Sequence, residues 1–374
     1  MHLPAMSPAL AAVRTRVGQA LRAHLWFLLA IAAYGIALHV LAVRLDARAN
    51  LSFSLYAPVF TLAMPVFAVV FVVGRVFYIM VAVRPRRLTR YLIADFRDTV
   101  LTPERLFMAL PVFLVLPVFA SMFTSVKAMI PLLQPFAWDT TFATWDQALH
   151  GGRAPWEWLQ PVLGHPYVTS GLNVVYNAWL IVMYGVWMWQ AFSTRDARLR
   201  MQFFLAFVVS WVLLGNVVAT LLSSAGPCYF GRVTGAPDPY AGLTAYLRAV
   251  SAHLPVWSVQ TQEMLWRDSL KPGVELGSGI SAMPSMHVAT SVLFALLGWR
   301  VKRRLGIAFT VFAVLVMLGS VHLAWHYAVD GYVGAAGAVA VWYAIGWFLS
   351  RDAFFRVERT GRRGGLVEVA AQPG

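Results

Sequence analysis

The sequence predicts an all-α integral membrane protein of about eight transmembrane helices, and three observations carry that prediction. The 374 residues are 59% hydrophobic and only 12% charged, with a mean hydropathy of +0.65, well on the apolar side of soluble chains. Apolar runs long enough to cross about 30 Å of hydrocarbon, which takes roughly 20 helical residues, recur along the chain. Lys and Arg concentrate in alternate connections between those runs. The 15 Trp, 24 Phe and 13 Tyr suit aromatic belts at the two interfaces. The single cysteine, Cys228, excludes an intramolecular disulfide framework. A net charge of +14 would suggest nucleic acid in a soluble protein, but here it falls in loops of one parity. It is therefore a topology signal, and no nucleic-acid partner is expected.

Taken in order, the spans are expected near 24–45, 55–80, 106–126, 171–193, 201–223, 282–299, 305–328 and 331–350. The first follows a basic leader and is too long for the apolar core of a cleaved signal peptide. The leader 1–23, the connections 84–105, 194–200 and 300–304, and the tail 351–374 hold most of the chain's 30 Lys and Arg. Under an eight-helix arrangement all five lie on one side, which predicts cytoplasmic termini in an inner or cell membrane. Two long connections then face the periplasm or exterior, 127–170 and 224–281. The first carries Trp138, Trp145, Trp156 and Trp158, which read as short helices at headgroup level, either a plain interfacial anchor or a wall over a lipid site.

Chemistry is concentrated at the outward ends of the sixth and seventh spans. His287 opens the sixth in GSGISAMPSMHVATSV, and GSVHLAWHYAVDGYVG at the end of the seventh holds His322, His326 and Asp330. Spacing of four puts His326 and Asp330 on one helix face, with His322 one turn deeper. Antiparallel neighbours bring His287 to the same depth as that pair. Ionisable groups at a membrane edge are costly and mark functional sites by default. Two imidazoles and a carboxylate suit phosphoryl transfer without a cofactor. In that scheme His326 attacks phosphorus, Asp330 orients it and supports its positive charge, and His287 serves as general acid and base. The turn Gly277, Ser278, Gly279, with Ser281, Pro284 and Ser285, reads as a phosphate-holding helix start with proline in its first turn. Zinc is a rival use of the same residue types, but HExxH-like ligand clustering is absent.

PSMHVA at 284–289 and HYAVD at 326–330 resemble the second and third signatures of the PAP2 (type 2 phosphatidic acid phosphatase) superfamily. The nearest resemblance is to its Aur1-like inositol phosphotransferase, or inositol phosphorylceramide synthase, branch. The resemblance implies a six-helix catalytic core over 106–350, with 1–105 as an N-terminal segment of two extra helices and 351–374 as a basic cytoplasmic tail. It implies the same roles for His326, Asp330 and His287, a metal-independent reaction, and a phospholipid donor with a lipid alcohol acceptor as partners. Two departures stand out. Classical members carry a first signature K-x6-R-P, and the one Arg-Pro here, at Arg84 and Pro85, falls on the cytoplasmic side. They also carry Arg six residues before the nucleophile, where this chain has Ser320. Outward cations that could grip phosphate instead are Arg232, favoured because GPCYFGR resembles a segment of Aur1-like proteins, then Lys127, Arg153 and Lys271.

Loss of a dianion clamp suits a phosphodiester better than a monoester, so headgroup transfer is the leading expectation. A PAP2-type lipid or polyprenyl phosphate phosphatase is the alternative, and a proton-coupled transporter using His326 and Asp330 is a third. The predicted topology has a direct check: cysteines engineered into 224–281 of a Cys228→Ser background should react with an impermeant reagent from outside the cell. Protection there in intact cells, with labelling only after lysis, overturns the outward-facing site.

Overall fold

The computed structural model describes residues 7–271 and 273–356; the start of the basic leader (1–6) and most of the basic tail (357–374) lie outside the described residues. The chain is 79% helical, with no strand among the described residues. In order run α1 (Pro8–Ala23), α2 (Leu25–Arg44), α3 (Ala57–Tyr78), α4 (Leu88–Asp95), α5 (Pro103–Leu133), α6 (Asp139–Leu149), α7 (Pro155–Leu163), α8 (Pro166–Ala191) and α9 (Ala197–Val212). Wider π-type turns over Leu213–Val218 carry α9 into α10 (Ala219–Leu221). Beyond it come α11 (Phe230–Thr234), α12 (Ala241–Ser251), α13 (Trp257–Ser269), α14 (Met286–Val301), α15 (Arg303–His322) and α16 (Ala328–Arg351).

Seven stretches among the described residues are long and apolar enough to cross a membrane: α2, α3 with its extension to Val83, α5, α8, α9 with its extension to Leu221, α15 and α16. The sixth expected span, α14, has 16 residues and is shorter than the others. Helices suit this environment because each satisfies its own backbone hydrogen bonds away from water. Three expected boundaries shift at the chemically important end. α14 starts at Met286, with Ser285 as its N-cap and Pro284 ahead of the cap rather than in the first turn. α15 stops at His322 and α16 starts at Ala328. His326 therefore lies in the turn between two helices, and Asp330 opens the next one. The expectation that they share a face of one helix is overturned, because the turn at Leu323–Tyr327 folds back and its Trp325 and His326 amides both donate to the Ser320 carbonyl at 3.0 Å.

The core centres on α9, where Phe203, Phe204 and Phe207 are fully buried and meet rings from α2, α5, α8 and α14. Helix α3, by contrast, buries only Phe60. One polar knot ties the N-terminal helices to this centre. Arg200 of α9 is 2% exposed and donates to the carbonyls of Met108 and Gln190 and to His24 Nε2. His24 in turn pairs its Nδ1 with the Ala20 carbonyl at 2.7 Å. Burial, and then the neighbouring guanidinium, push His24 down to about 4, so it is a neutral ring able to accept from Arg200. Replacing Arg200 by Ala strands these acceptors. Arg200→Ala should cost about 2–4 kcal/mol and lower the apparent Tm of the protein in detergent; an unchanged Tm contradicts the assignment.

Candidate active site

The second half of α5, α8 from its middle onward, the end of α9 with its extension, the start of α14 and the turn between α15 and α16 come together in the bundle. Between them lies a cavity of about 320 Å³ whose walls include His287, His326, Lys127, Ser278, Ser281, Tyr176 and Trp179. The two histidine rings are 6.4 Å apart, centre to centre.

His326 is held by the start of α16. Its Nδ1 lies 3.2 Å from Asp330 Oδ2, and the same oxygen accepts the Tyr327 amide at 3.0 Å. Asp330 is thus an N-terminal capping carboxylate and an imidazole partner at once. A carboxylate can only accept, so a proton on Nδ1 satisfies this pair. Burial holds the His326 imidazole below its ordinary range, against a backbone hydrogen bond to Ala282 that raises it. His287, in the first turn of α14, is packed between the rings of Tyr176, at 4.6 Å and nearly parallel, and Trp179, at 4.1 Å. Both come from α8 at helical spacing of three, which faces them the same way.

The loop around these residues closes only because two positions are glycine. Gly279 sits at φ +89°, and a side chain there would fall within 3 Å of the Lys127 backbone, so this glycine lets the Gly-Ser turn lie against the end of α5. Gly226 sits at φ +101° with its α-carbon face against the Trp325 carbonyl and Ala282. Both glycines bring backbone to backbone beside the cavity. Tyr56, ahead of α3, also reaches in: its hydroxyl accepts the Gly277 amide at 3.0 Å, and it lines the same cavity.

Of the residues singled out from the sequence, the structure brings together His287, His326, Asp330, Lys127, Gly277, Ser278, Gly279, Ser281 and Pro284. Ser285, Arg232, Arg153, Lys271 and His322 do not line the cavity. Ser285 is fully buried as the α14 cap, its hydroxyl accepting from the Val288 amide and its own amide donating to the Asp330 carbonyl at 3.0 Å. It does not line the cavity, whereas Met286 and His287, whose first-turn amides helix geometry leaves without intrahelical acceptors, do. Arg232 turns away, pairing with Glu263 and lying 5.2 Å over the Trp266 ring. Arg153 lies over Trp158, and Lys271 pairs with Asp268. His322 leaves the site as well: its Nε2 meets Thr169 Oγ1 at 2.9 Å.

Lys127 lines the cavity beside both histidines and has no ion pair among the described residues. The sequence holds a signal for it, distinct from the Arg-Pro pair. Lys127 to Pro135 reads K-x6-Q-P, which keeps the lysine and proline of the first signature and replaces its arginine by Gln134. Two acidic residues were missed altogether. Asp139 and Asp146 of α6 are each 1% exposed. Asp146 accepts the Ala328 and Val329 amides at the start of α16, at 2.7 and 2.9 Å. Their sequence context, WDTTFATWD, looks like an interfacial helix. A spacing of seven between the two, which puts both on one helix face, was the available clue.

A family model described as PAP2 superfamily matches residues 140–344. That is more than half of the chain, and the chain belongs to the PAP2 superfamily. Its class is that of membrane phosphatases and phosphotransferases acting on lipids. No curated protein and no solved structure matches it.

The placement of the cations separates two variants. Lys127→Met should lower kcat/KM by about tenfold or more, the usual worth of a buried charge on an oxyanion. Arg232→Ala should stay within about threefold, as for a surface ion pair. The reverse ranking, measured on the same lipid substrate, makes Arg232 the phosphate ligand after all.

Proposed function

We propose that this protein is an integral membrane lipid phosphotransferase of the Aur1-like kind, moving a phosphate-linked headgroup, with inositol phosphate as its most specific form, from a phospholipid to a lipid alcohol. The observation that carries this reading is the cavity itself. It holds His326 against Asp330, a facing His287 and one Lys or Arg, Lys127, within walls that include many aromatic side chains. Among the described residues Lys127 is the one Lys or Arg in that lining, where classical members carry a clamp of several fixed cations, and the smaller fixed charge suits a phosphodiester better than a monoester dianion.

In the first half-reaction His326 Nε2 attacks phosphorus. A P–N bond forms, the P–O bond to the glyceride breaks, and His287, entering the step as the imidazolium, gives its extra proton to the departing oxygen and is left neutral, so a diacylglycerol-like alcohol leaves. Asp330, bonded through Nδ1–H, supports the positive charge on the phosphorylated ring. Lys127, with the first-turn amides of α14 as further donors, stabilises charge on the equatorial oxygens. In the second half-reaction neutral His287 takes the proton of an acceptor hydroxyl. The new P–O bond then forms as the P–N pair returns to Nε2. With water as acceptor the same steps make a phosphatase, so the apolar walls matter because they favour a lipid acceptor. The site faces the periplasm or exterior in this reading, in line with the distribution of Lys and Arg.

The test supplies purified protein in mixed micelles with phosphatidylinositol plus a ceramide or diacylglycerol acceptor, and in parallel with phosphatidic acid, following phosphorus in both. Phosphorus should appear in a new lipid, and His326→Ala should abolish that product, a loss of at least about 10³-fold. Asp330→Ala should cost nearly as much, whereas His322→Ala, which removes a ring outside the cavity, should cost less than about tenfold. Release of free phosphate from phosphatidic acid alone identifies a phosphatase and overturns the transferase reading.

A further inference from the structure

The short helix α6 lies outside the helices that carry the triad, yet its inner face is keyed into both catalytic loops. Asp139, Phe142, Ala143 and Asp146 make up that face and are buried, while Trp145 and Leu149 are exposed. Asp139 is the hub. Its Oδ1 accepts the Gly226 amide at 2.8 Å and the Tyr327 hydroxyl at 2.8 Å, and its Oδ2 accepts the Ala225 amide at 2.9 Å.

Between them those donors lead to both histidines. Tyr327 follows His326 directly, and its amide is bonded to the same Asp330 oxygen that holds the His326 ring. Ala225 and Gly226 continue from Ser224, whose carbonyl accepts the Ala282 amide at 2.9 Å and whose hydroxyl accepts the Met283 amide at 3.2 Å. Ala282 and Met283 begin the short approach to His287. Ser223 contributes a further tie, its carbonyl accepting the Ala137 and Trp138 amides just ahead of α6. One carboxylate thus spans the 39 residues that separate the two histidines in sequence.

We propose that Asp139 is a positioning residue for the transfer reaction, fixing the separation of His287 and His326 by bonding the two loops that carry them. It touches neither ring and acts through Gly226, Ser224 and Tyr327. The physical reason for a carboxylate is that three donors converge on two oxygens: an amide side chain would turn its NH2 toward an N–H and create a donor–donor conflict. Tyr327 is buried against Phe142 and Tyr240, so its hydroxyl has no freedom to seek another partner. The proposal deepens the transferase reading, because the separation it sets is the one the proton and phosphoryl steps require.

The experiment pairs Asp139→Asn with the milder Tyr327→Phe, which keeps the ring and deletes one bond to the same carboxylate. In the lipid assay kcat should fall about 10–100-fold in Asp139→Asn and roughly 3–10-fold in Tyr327→Phe, with KM within about twofold in both. The double variant should be no worse than Asp139→Asn alone, since Tyr327 acts through that carboxylate. A second readout, the ¹⁵N resonances of histidine-labelled protein in detergent, follows both rings whether or not the enzyme turns over. Tyr327→Phe, and Asp139→Asn where it folds, should shift the signals of His287 and His326 together, with His322 unmoved. Wild-type kcat in Asp139→Asn, a loss confined to KM, additive losses, or a shift of only one ring overturns the positioning role. If wild-type protein transfers nothing while both rings still shift together, the transferase reading fails and the coupling through Asp139 stands.

Discussion

Asp330 is the residue on which the rest of the site depends. Its side chain holds the His326 ring and caps α16 through the Tyr327 amide, while its carbonyl accepts the Ser285 amide at the cap of α14. The first bond holds the ring of one histidine, and the last fixes the start of the helix that carries the other. A buried carboxylate is costly unless its lone pairs are used. Here the cost is offset by donors that must in any case be satisfied at helix ends. The helix termini therefore serve twice, as structural necessities and as the framework of the site.

The same economy extends outward from Asp330. Asp146 caps α16 from α6 through two amides, and Asp139 holds the loop after α10 through two more. Burial pushes both carboxyl groups upward, and the amide bonds oppose that shift, with the Tyr327 hydroxyl adding to them at Asp139. Polar groups at the membrane edge are thus paid out to backbone donors, leaving Lys127 and the faces of His287 and His326 to meet a ligand. The aromatic packing of Tyr176 and Trp179 against His287 completes this arrangement, because it fixes a ring for which no hydrogen-bonding partner is seen among the described residues.

Much of the architecture was legible because hydrophobic periodicity and charge distribution are local. All eight expected spans have a helical counterpart, and His287, His326 and Asp330 were recognisable from short motifs. The errors arose where a helix end was decided by contacts from elsewhere. The run from Arg303 to Asp330 is apolar enough to read as one continuing helix. It breaks after His322 because the Ser320 carbonyl takes the Trp325 and His326 amides and the Cys228 amide takes the Ala324 carbonyl, holding Ala324 at φ +61°. Ser285 and Arg232 were plausible phosphate ligands by composition. Only packing turned one into a cap and gave the other to Glu263.

By itself, the sequence determined a helical membrane protein with two histidines and an aspartate gathered at one end, since those follow from residue type and short-range spacing. Tertiary structure decided how they are held. The His326–Asp330 contact is a capping interaction across a turn rather than a match of faces along a helix. Lys127 is the cation in the cavity because Gly279 lets a distant loop pack on its backbone. The acids of an apparently plain interfacial helix reach the loops that carry the two histidines. Each depends on bonds between residues far apart in the chain, and neither hydropathy nor motif spacing carries information about such pairs.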